Sequence, residues 1–282
     1  MKIGVFDSGL GGLTILKALL KKLPQYNYVY LGDNARVPYG NRSPETIYEF
    51  TKQAVEFLFK KNCKIIILAC NTATSTSLRR IQQEYLPKYY PDRRVLGVIK
   101  PVVEVLESQI TNIKYQIINN KTNSIGIIGT KATVNSGAFV REINKLLPDA
   151  SVHQQACPLL VPFIEDGSKN NKVLKPILKE YLDGLLKEKI KTLVLACTHY
   201  EVIEKEIQKI IGREIKIISE GKIVAKKLGD YLKNHLEIEK KLEKHKKIEY
   251  YVTDLNPDYE KIIKIFLGKG LNKNEILYSK LV

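Results

Sequence analysis

Two short segments share a form suited to acid–base chemistry. Ile66-Ile67-Leu68-Ala69-Cys70-Asn71-Thr72 and Leu193-Val194-Leu195-Ala196-Cys197-Thr198-His199 each run four apolar residues into a cysteine, 127 positions apart. Short apolar runs of this kind read as buried strands. Each cysteine therefore falls just past the C-terminal end of a strand. The small hydroxyl and amide residues that follow are of the type that opens helices. A sulfur at a helix N-terminus is favoured as thiolate, which pulls it below the usual ~8.5. If the chain at Cys197 is still extended, residues i and i+2 share a face and His199 stands beside the sulfur. Imidazole next to thiol is the arrangement of an activated thiol. The other two cysteines, Cys63 in KKNCKIII and Cys157 before Pro158, sit in surroundings that read as packing.

A second group lies near the N-terminus. Asp7-Ser8-Gly9-Leu10-Gly11-Gly12 joins a strand to a helix. It is not a dinucleotide fingerprint, because Thr14 occupies the last glycine position, and no P-loop Gly-Lys-Ser/Thr exists. Its better use is a tight turn that offers backbone N–H groups and the Asp7 and Ser8 side chains to a small ligand. The segment Asp33 to Gly40 (DNARVPYG) reads, on its residues alone, as an ordinary loop after a strand.

The elements that must position these residues alternate. Strands are expected at Lys2–Phe6, Tyr28–Leu31, Ile65–Ala69, Val95–Val98, Ser124–Ile128, Thr192–Ala196, Ile215–Ile218 and Ile248–Val252. Amphipathic helices are expected at Gly12–Lys22, Pro44–Lys60, Ser136–Leu147, Lys172–Lys187 and Gly221–Asn234. Nearly continuous apolar strands between helices are the pattern of an α/β fold with parallel sheets covered on both faces. The first strand-turn unit, Ile3 to Gly9, is echoed about 122 residues later by Ile125 to Thr130. With the cysteine echo, this suggests a duplicated α/β half, each copy placing one cysteine just past the C-terminal end of a buried strand. In open α/β sheets the carboxyl ends of the strands are where ligands bind.

Composition narrows the function classes. A chain of 282 residues with 44% hydrophobic and 27% charged residues buries a real core, and no apolar run approaches the roughly 20 residues of a membrane span. The N-terminus MKIGVFDSGLGG is not a signal peptide, and four cysteines without a CxxC suit neither a disulfide scaffold nor a zinc ribbon. The expected compartment is the reducing cytoplasm. The net charge of +16 invites a polyanion-binding reading, but only eight of the 46 basic residues are Arg and the lysines are spread along the chain. EIEKKLEKHKK (237–247) interleaves Glu with Lys as a solvated helix does. A Lys-biased surface is the simpler account; a basic regulatory protein is the alternative from another class.

GVFDSGLGGLT, GDNARVPYG, LACNTAT, GVIKP, GTKATVNSG, ACPLLVPFIEDG and LACTHY, in this order and spacing, resemble the glutamate racemases of the cofactor-independent aspartate/glutamate racemase superfamily. The likeness covers roughly residues 3 to 203. It implies an isomerase of two pseudo-symmetric α/β lobes, residues 1–100 rejoined by 212–282 and residues 101–211, with the active site between them. It implies that Cys197 deprotonates L-glutamate while Cys70 protonates the other face, with the roles exchanged for D-glutamate. Asp7 is then expected to assist Cys70, and His199 and Glu165 to assist Cys197. Ser8, Tyr39, Gly40, Asn71, Thr72 and Thr198 are expected to grip the substrate. No cofactor, metal, membrane or nucleic acid is implied, and a homodimer is an open option. The product would be D-glutamate for cell-wall peptidoglycan; aspartate racemase is the near alternative. Two places depart from the family pattern: Glu201 follows THY where Pro is usual, and Ser219-Glu220-Gly221 stands where Asp-Ser-Ala is frequent.

Overall fold

The computed structural model describes residues 1–114, 124–166, 171–255, 259–271 and 275–281. These form β1 (Lys2–Asp7), β2 (Tyr28–Gly32), β3 (Cys63–Leu68), β4 (Arg94–Gly97), β5 (Ser124–Gly129), β6 (Ser151–Ala156), β7 (Thr192–Ala196), β8 (Lys216–Ile218), β9 (Ile248–Val252) and β10 (Ile276–Tyr278). They assemble into two sheets, in the orders β10-β9-β2-β1-β3-β4 and β6-β5-β7-β8. Every pairing is parallel. The segment β2-β1-β3-β4 of the first sheet has the same order as β6-β5-β7-β8, with β5 in the place of β1 and β7 in the place of β3. The sequence echo is thus a repeat of topology, and β9 and β10 extend only the first sheet.

Helices cover both faces, which is why the central strands carry no polar alternation: Ile3, Val5 and Phe6 of β1 are all fully buried. The helix Pro44–Lys60 shows how sequence sets an element. Ser43 caps it by accepting the Thr46 N–H at 3.3 Å, and Pro44 occupies the first turn, where no donor is lost. Its buried face repeats at Ile47, Thr51, Ala54, Val55 and Leu58. The helix Leu13–Lys22 packs on Gly221–Asn234. One buried cluster runs from Ile3 and Val5 through Leu16 to Leu193 and Leu195, so the two sheets share a core.

The expected strands match within two residues at each end, and the fold is the expected pair of parallel α/β units. Three expectations shift. The helix expected at Ser136–Leu147 spans Ala138–Leu146, starting after Gly137 with its φ of 62°, and a separate short helix, Lys131–Asn135, precedes it unannounced. β6 and β10 carry no strand signal: His153, Gln154 and Gln155 make a half-buried edge strand polar, and β10 has three residues. Residues 216–218 pair with β7 in the second sheet, beyond the boundary placed between 211 and 212.

The loop after β2 is tied down by one buried carboxylate. Asp33 accepts hydrogen bonds from Arg36 Nε (2.6 Å), Thr253 Oγ1 (2.8 Å) and the Tyr39 hydroxyl. Replacing Asp33 with Ala strands three donors around a buried site. Denaturant unfolding should show a loss of roughly 2–4 kcal/mol, whereas Asp33→Asn should recover part of it.

Candidate active site

Both sheets have the order in which the first strand is flanked by the second and third, so each has a switch point at the carboxyl ends of its central pair. In the first sheet these ends are Asp7-Ser8 after β1 and Cys70 after β3. In the second they are Thr130 after β5 and Cys197-Thr198-His199 after β7. The two switch points face each other, and Ser8, Tyr39, Gly40, Cys70, Asn71, Thr72, Thr130, Cys197, Thr198 and His199 line one cleft.

The approach is close enough to dictate residue types. A Cβ at Gly11 would lie 2.4 Å from His199 Nδ1 and 2.5 Å from Thr198 Oγ1. A Cβ at Gly40 would lie 2.6 Å from Thr130 Cβ. Glycine at 11 and 40 is therefore what lets one sheet's loops meet the other's side chains. Hydrogen bonds then cross the junction: Thr198 Oγ1 donates to Asp7 Oδ1 at 3.3 Å, and the Thr72 and Thr130 hydroxyls meet at 2.9 Å. The enclosed space is about 20 Å³, room for about one water. Admitting an amino acid requires these loops to part.

The thiols sit in different electrostatic surroundings. Cys70 caps the helix Asn71–Arg80, its sulfur accepting the Ala73 N–H at 3.4 Å, with Ser8 Oγ 3.2 Å away. Burial nevertheless pushes this thiol up to about 12, with the Asp7 charge in the same direction. The helix-end argument for a thiolate is overturned at Cys70: the contacts exist, but desolvation outweighs them. Cys197 is followed by a turn and the short 3₁₀ segment Tyr200–Ile203, not by a helix start or an extended strand. His199 Nδ1 still lies 3.8 Å from Cys197 Sγ, because the chain bends there. On its far side His199 Nε2 meets Glu165 Oε1 at 2.8 Å. Burial alone would disfavour the imidazolium, but the bonds to Cys197 and Glu165, and their charges, hold it well above its ordinary value. Phe266 packs edge-on against the ring at 5.1 Å.

The expected set is thus gathered, with two refinements. Asp7 Oδ2 accepts the Gly9 N–H at 3.0 Å and Oδ1 the Thr198 hydroxyl, so both oxygens are engaged away from the Cys70 sulfur; burial raises Asp7 above the usual carboxylate range, against the pull of His199. Tyr39 turns its hydroxyl to Asp33, so at the cleft wall it has its backbone to offer. Thr130, Thr133 and Val161 were not anticipated. Thr130 was marked by the echo, since it follows β5 as Ser8 follows β1. Cys63 and Cys157 are fully buried in packing. A larger cavity of about 630 Å³ opens elsewhere, among the ends of β3 and β4 and the helices Asn71–Arg80, Ala138–Leu146 and Gly221–Asn234. It contains neither Cys70 nor Cys197, and its Arg79 and Lys227 are spent on Glu142 (2.6 Å) and Glu104 (2.5 Å).

Residues 11–228 match the family described as Asp/Glu/Hydantoin racemase. The chain belongs to this racemase family. It is 38% identical over 269 residues to a glutamate racemase of Aquifex aeolicus, covering 95% of each chain. Its fold superposes with a TM-score of 0.85, at 32% identity, on a glutamate racemase from Francisella tularensis solved in complex with D-glutamate, covering 99% of this chain and 97% of that one. An aspartate racemase from Picrophilus torridus, at 17% identity and a TM-score of 0.54, shares the fold alone. No helix among the described residues of this racemase-family chain is long and apolar enough to cross a membrane.

Two outcomes are expected of the site. Gly11→Ala should leave melting within a few degrees of the parent but cut turnover at least tenfold, as the methyl displaces His199. Iodoacetamide with mass mapping should label Cys70 slowly at pH 8. Labelling of Cys70 should climb roughly tenfold per pH unit between pH 7 and 10, because its thiolate fraction grows so below about 12.

Proposed function

We infer that this chain interconverts L- and D-glutamate without a cofactor, supplying D-glutamate for peptidoglycan. The observation that carries the reading is one cysteine from each sheet, Cys70 and Cys197, across one cleft. Inverting an α-carbon needs a base on one face and an acid on the other. In the empty site Cys70 keeps its proton and Cys197 faces the His199 imidazolium, the state suited to L-glutamate. The Cys197 thiolate takes the α-proton, and the Cys70 S–H bond breaks to deliver a proton to the opposite face. The product is D-glutamate with Cys70 now the thiolate, and the reverse passage restores the first state.

In this reading His199 follows the charge on Cys197, and Glu165 orients and charges His199. Asp7 acts on Cys70 through its charge. Ser8, Asn71, Thr72 and Thr198, with the backbone of Tyr39 and Gly40, hold the carboxylates and ammonium. Four free thiols suit a reducing cytoplasm. Circular dichroism of purified protein with D-glutamate should decay to zero without added cofactor, and aspartate should give little change. Turnover of aspartate in preference to glutamate would reassign the substrate.

Cys70→Ala and Cys197→Ala should each lower kcat by roughly 10²–10⁴-fold or more, with the fold intact, while Cys63→Ala and Cys157→Ala stay active. In heavy water, early product from either enantiomer should carry α-deuterium while unreacted substrate remains protiated. Retention of the original proton in the product would mean a single base and would defeat the two-thiol scheme.

A further inference from the structure

One buried carboxyl beside the cleft has no part in this chemistry. Glu220 is 2% exposed and lies between β8 and the helix Gly221–Asn234. It meets Asn71, the residue after Cys70: Asn71 Nδ2 donates to Glu220 Oε2 at 2.8 Å. Asn71 is itself 3% exposed and lines the cleft. Glu220 Oε1 and Asn71 Oδ1 are both buried without a hydrogen-bond partner. Orphaned buried oxygens are uncommon in folded proteins and ask for a reason.

The neighbouring charges bear on Glu220's own state. Glu201 and Asp7 are the ionisable groups acting on it, both acidic, and Lys17 and Lys222 act on Glu201. Burial, reinforced by those two carboxyls, raises Glu220 well above the ordinary carboxylate value, against the Asn71 hydrogen bond. The same burial that raises it disfavours its charged form. Both departures from the racemase pattern meet here: Glu201 accepts the Gly221 N–H, and its oxygens lie 3.3 and 3.4 Å from where a Gly221 Cβ would stand.

We propose that Glu220 is a positioning residue for Asn71: by engaging Nδ2 from behind, it leaves Oδ1 as an acceptor reserved for the substrate ammonium. An amide free to rotate offers the cleft a donor or an acceptor. With its nitrogen engaged it offers the acceptor, which suits an ammonium and repels a carboxylate. Glu220 does this from behind Asn71, through the 2.8 Å bond to Nδ2, without itself entering the cleft lining. The proposal rests on the glutamate racemase reading.

The test uses the full chain, with initial rates for L- and D-glutamate from pH 6 to 9. Glu220→Gln keeps a carbonyl acceptor for Nδ2, so KM, kcat and the pH profile should stay within about threefold of the parent. Glu220→Met keeps the bulk and loses the acceptor, so KM for both enantiomers should rise about tenfold or more, with kcat less affected. Loss of packing alone would lower the folded fraction and kcat and leave KM in place. On an Asn71→Ala background, Glu220→Met should add nothing to KM; Glu220→Ala serves in both backgrounds if the Met variant does not fold. An unchanged KM in Glu220→Met, a Gln variant as impaired as Met, or full additivity with Asn71→Ala would each overturn the proposal. A parent enzyme inactive on both enantiomers would instead remove the racemase reading, and this inference with it.

Discussion

The site depends on how closely two strand ends from different sheets approach each other. Two parallel sheets, each with its switch point open, would ordinarily present two separate shallow ligand sites. Here the turn after β1 has no side chain at Gly11, so Thr198 and His199 from the other sheet close onto it. Gly40 does the same for Thr130. Once that contact is made, two thiols 127 residues apart in the chain flank one small cleft, and several polar groups there find partners across the junction. The hydroxyl and carboxyl bonds at Asp7, Thr72, Thr130 and Thr198 are consequences of that closeness. It is also what makes admission of substrate a matter of parting the loops.

Closeness alone would make the two halves equivalent, and they are not. The repeat of strand order is strict, but the residues after the strands differ. After β3 comes a helix start, and burial with the Asp7 charge pushes the Cys70 thiol up despite two favourable contacts, from Ser8 and the Ala73 N–H. After β7 comes a histidine charged between Cys197 and Glu165. A pseudo-symmetric scaffold thereby carries an unsymmetrical proton inventory: one proton-bearing sulfur and one sulfur facing an imidazolium.

How much of this was legible depended on the physics behind each signal. Strand-end cysteines, glycine turns and apolar runs are local, so Cys70, Cys197, the α/β alternation and the echo could be read directly. Residue resemblance brought in Glu165, whose place 2.8 Å from His199 no spacing rule would reveal. β6 stayed hidden because an edge strand tolerates His153 and Gln154, which carry no period-two signal. The charge state of Cys70 was misjudged because a helix end is visible in sequence, whereas the degree of desolvation is a property of the packed junction. That the Tyr39 hydroxyl turns to Asp33 is hidden for the same reason, since the pairing exists only when the loop is folded.

Lysines are spread along the chain whereas carboxyls gather around the cleft, and this reconciles the +16 net charge with a small-molecule enzyme. Lysines spread along the chain raise the positive potential over the whole surface without forming a dedicated polyanion groove. Around the cleft, by contrast, Asp7, Glu165, Glu201 and Glu220 put four carboxyls within one buried neighbourhood, held by His199, backbone N–H groups and Asn71. A positive exterior raises the local concentration of an acidic solute, an effect that falls with ionic strength. An interior already rich in carboxyls then penalises any anion whose charges are not met by neutral donors. The cleft lining offers such neutral groups: hydroxyls and an amide at Ser8, Asn71, Thr72 and Thr198. In this division of labour long-range attraction is non-selective, and discrimination comes from the short-range donors and acceptors of the cleft.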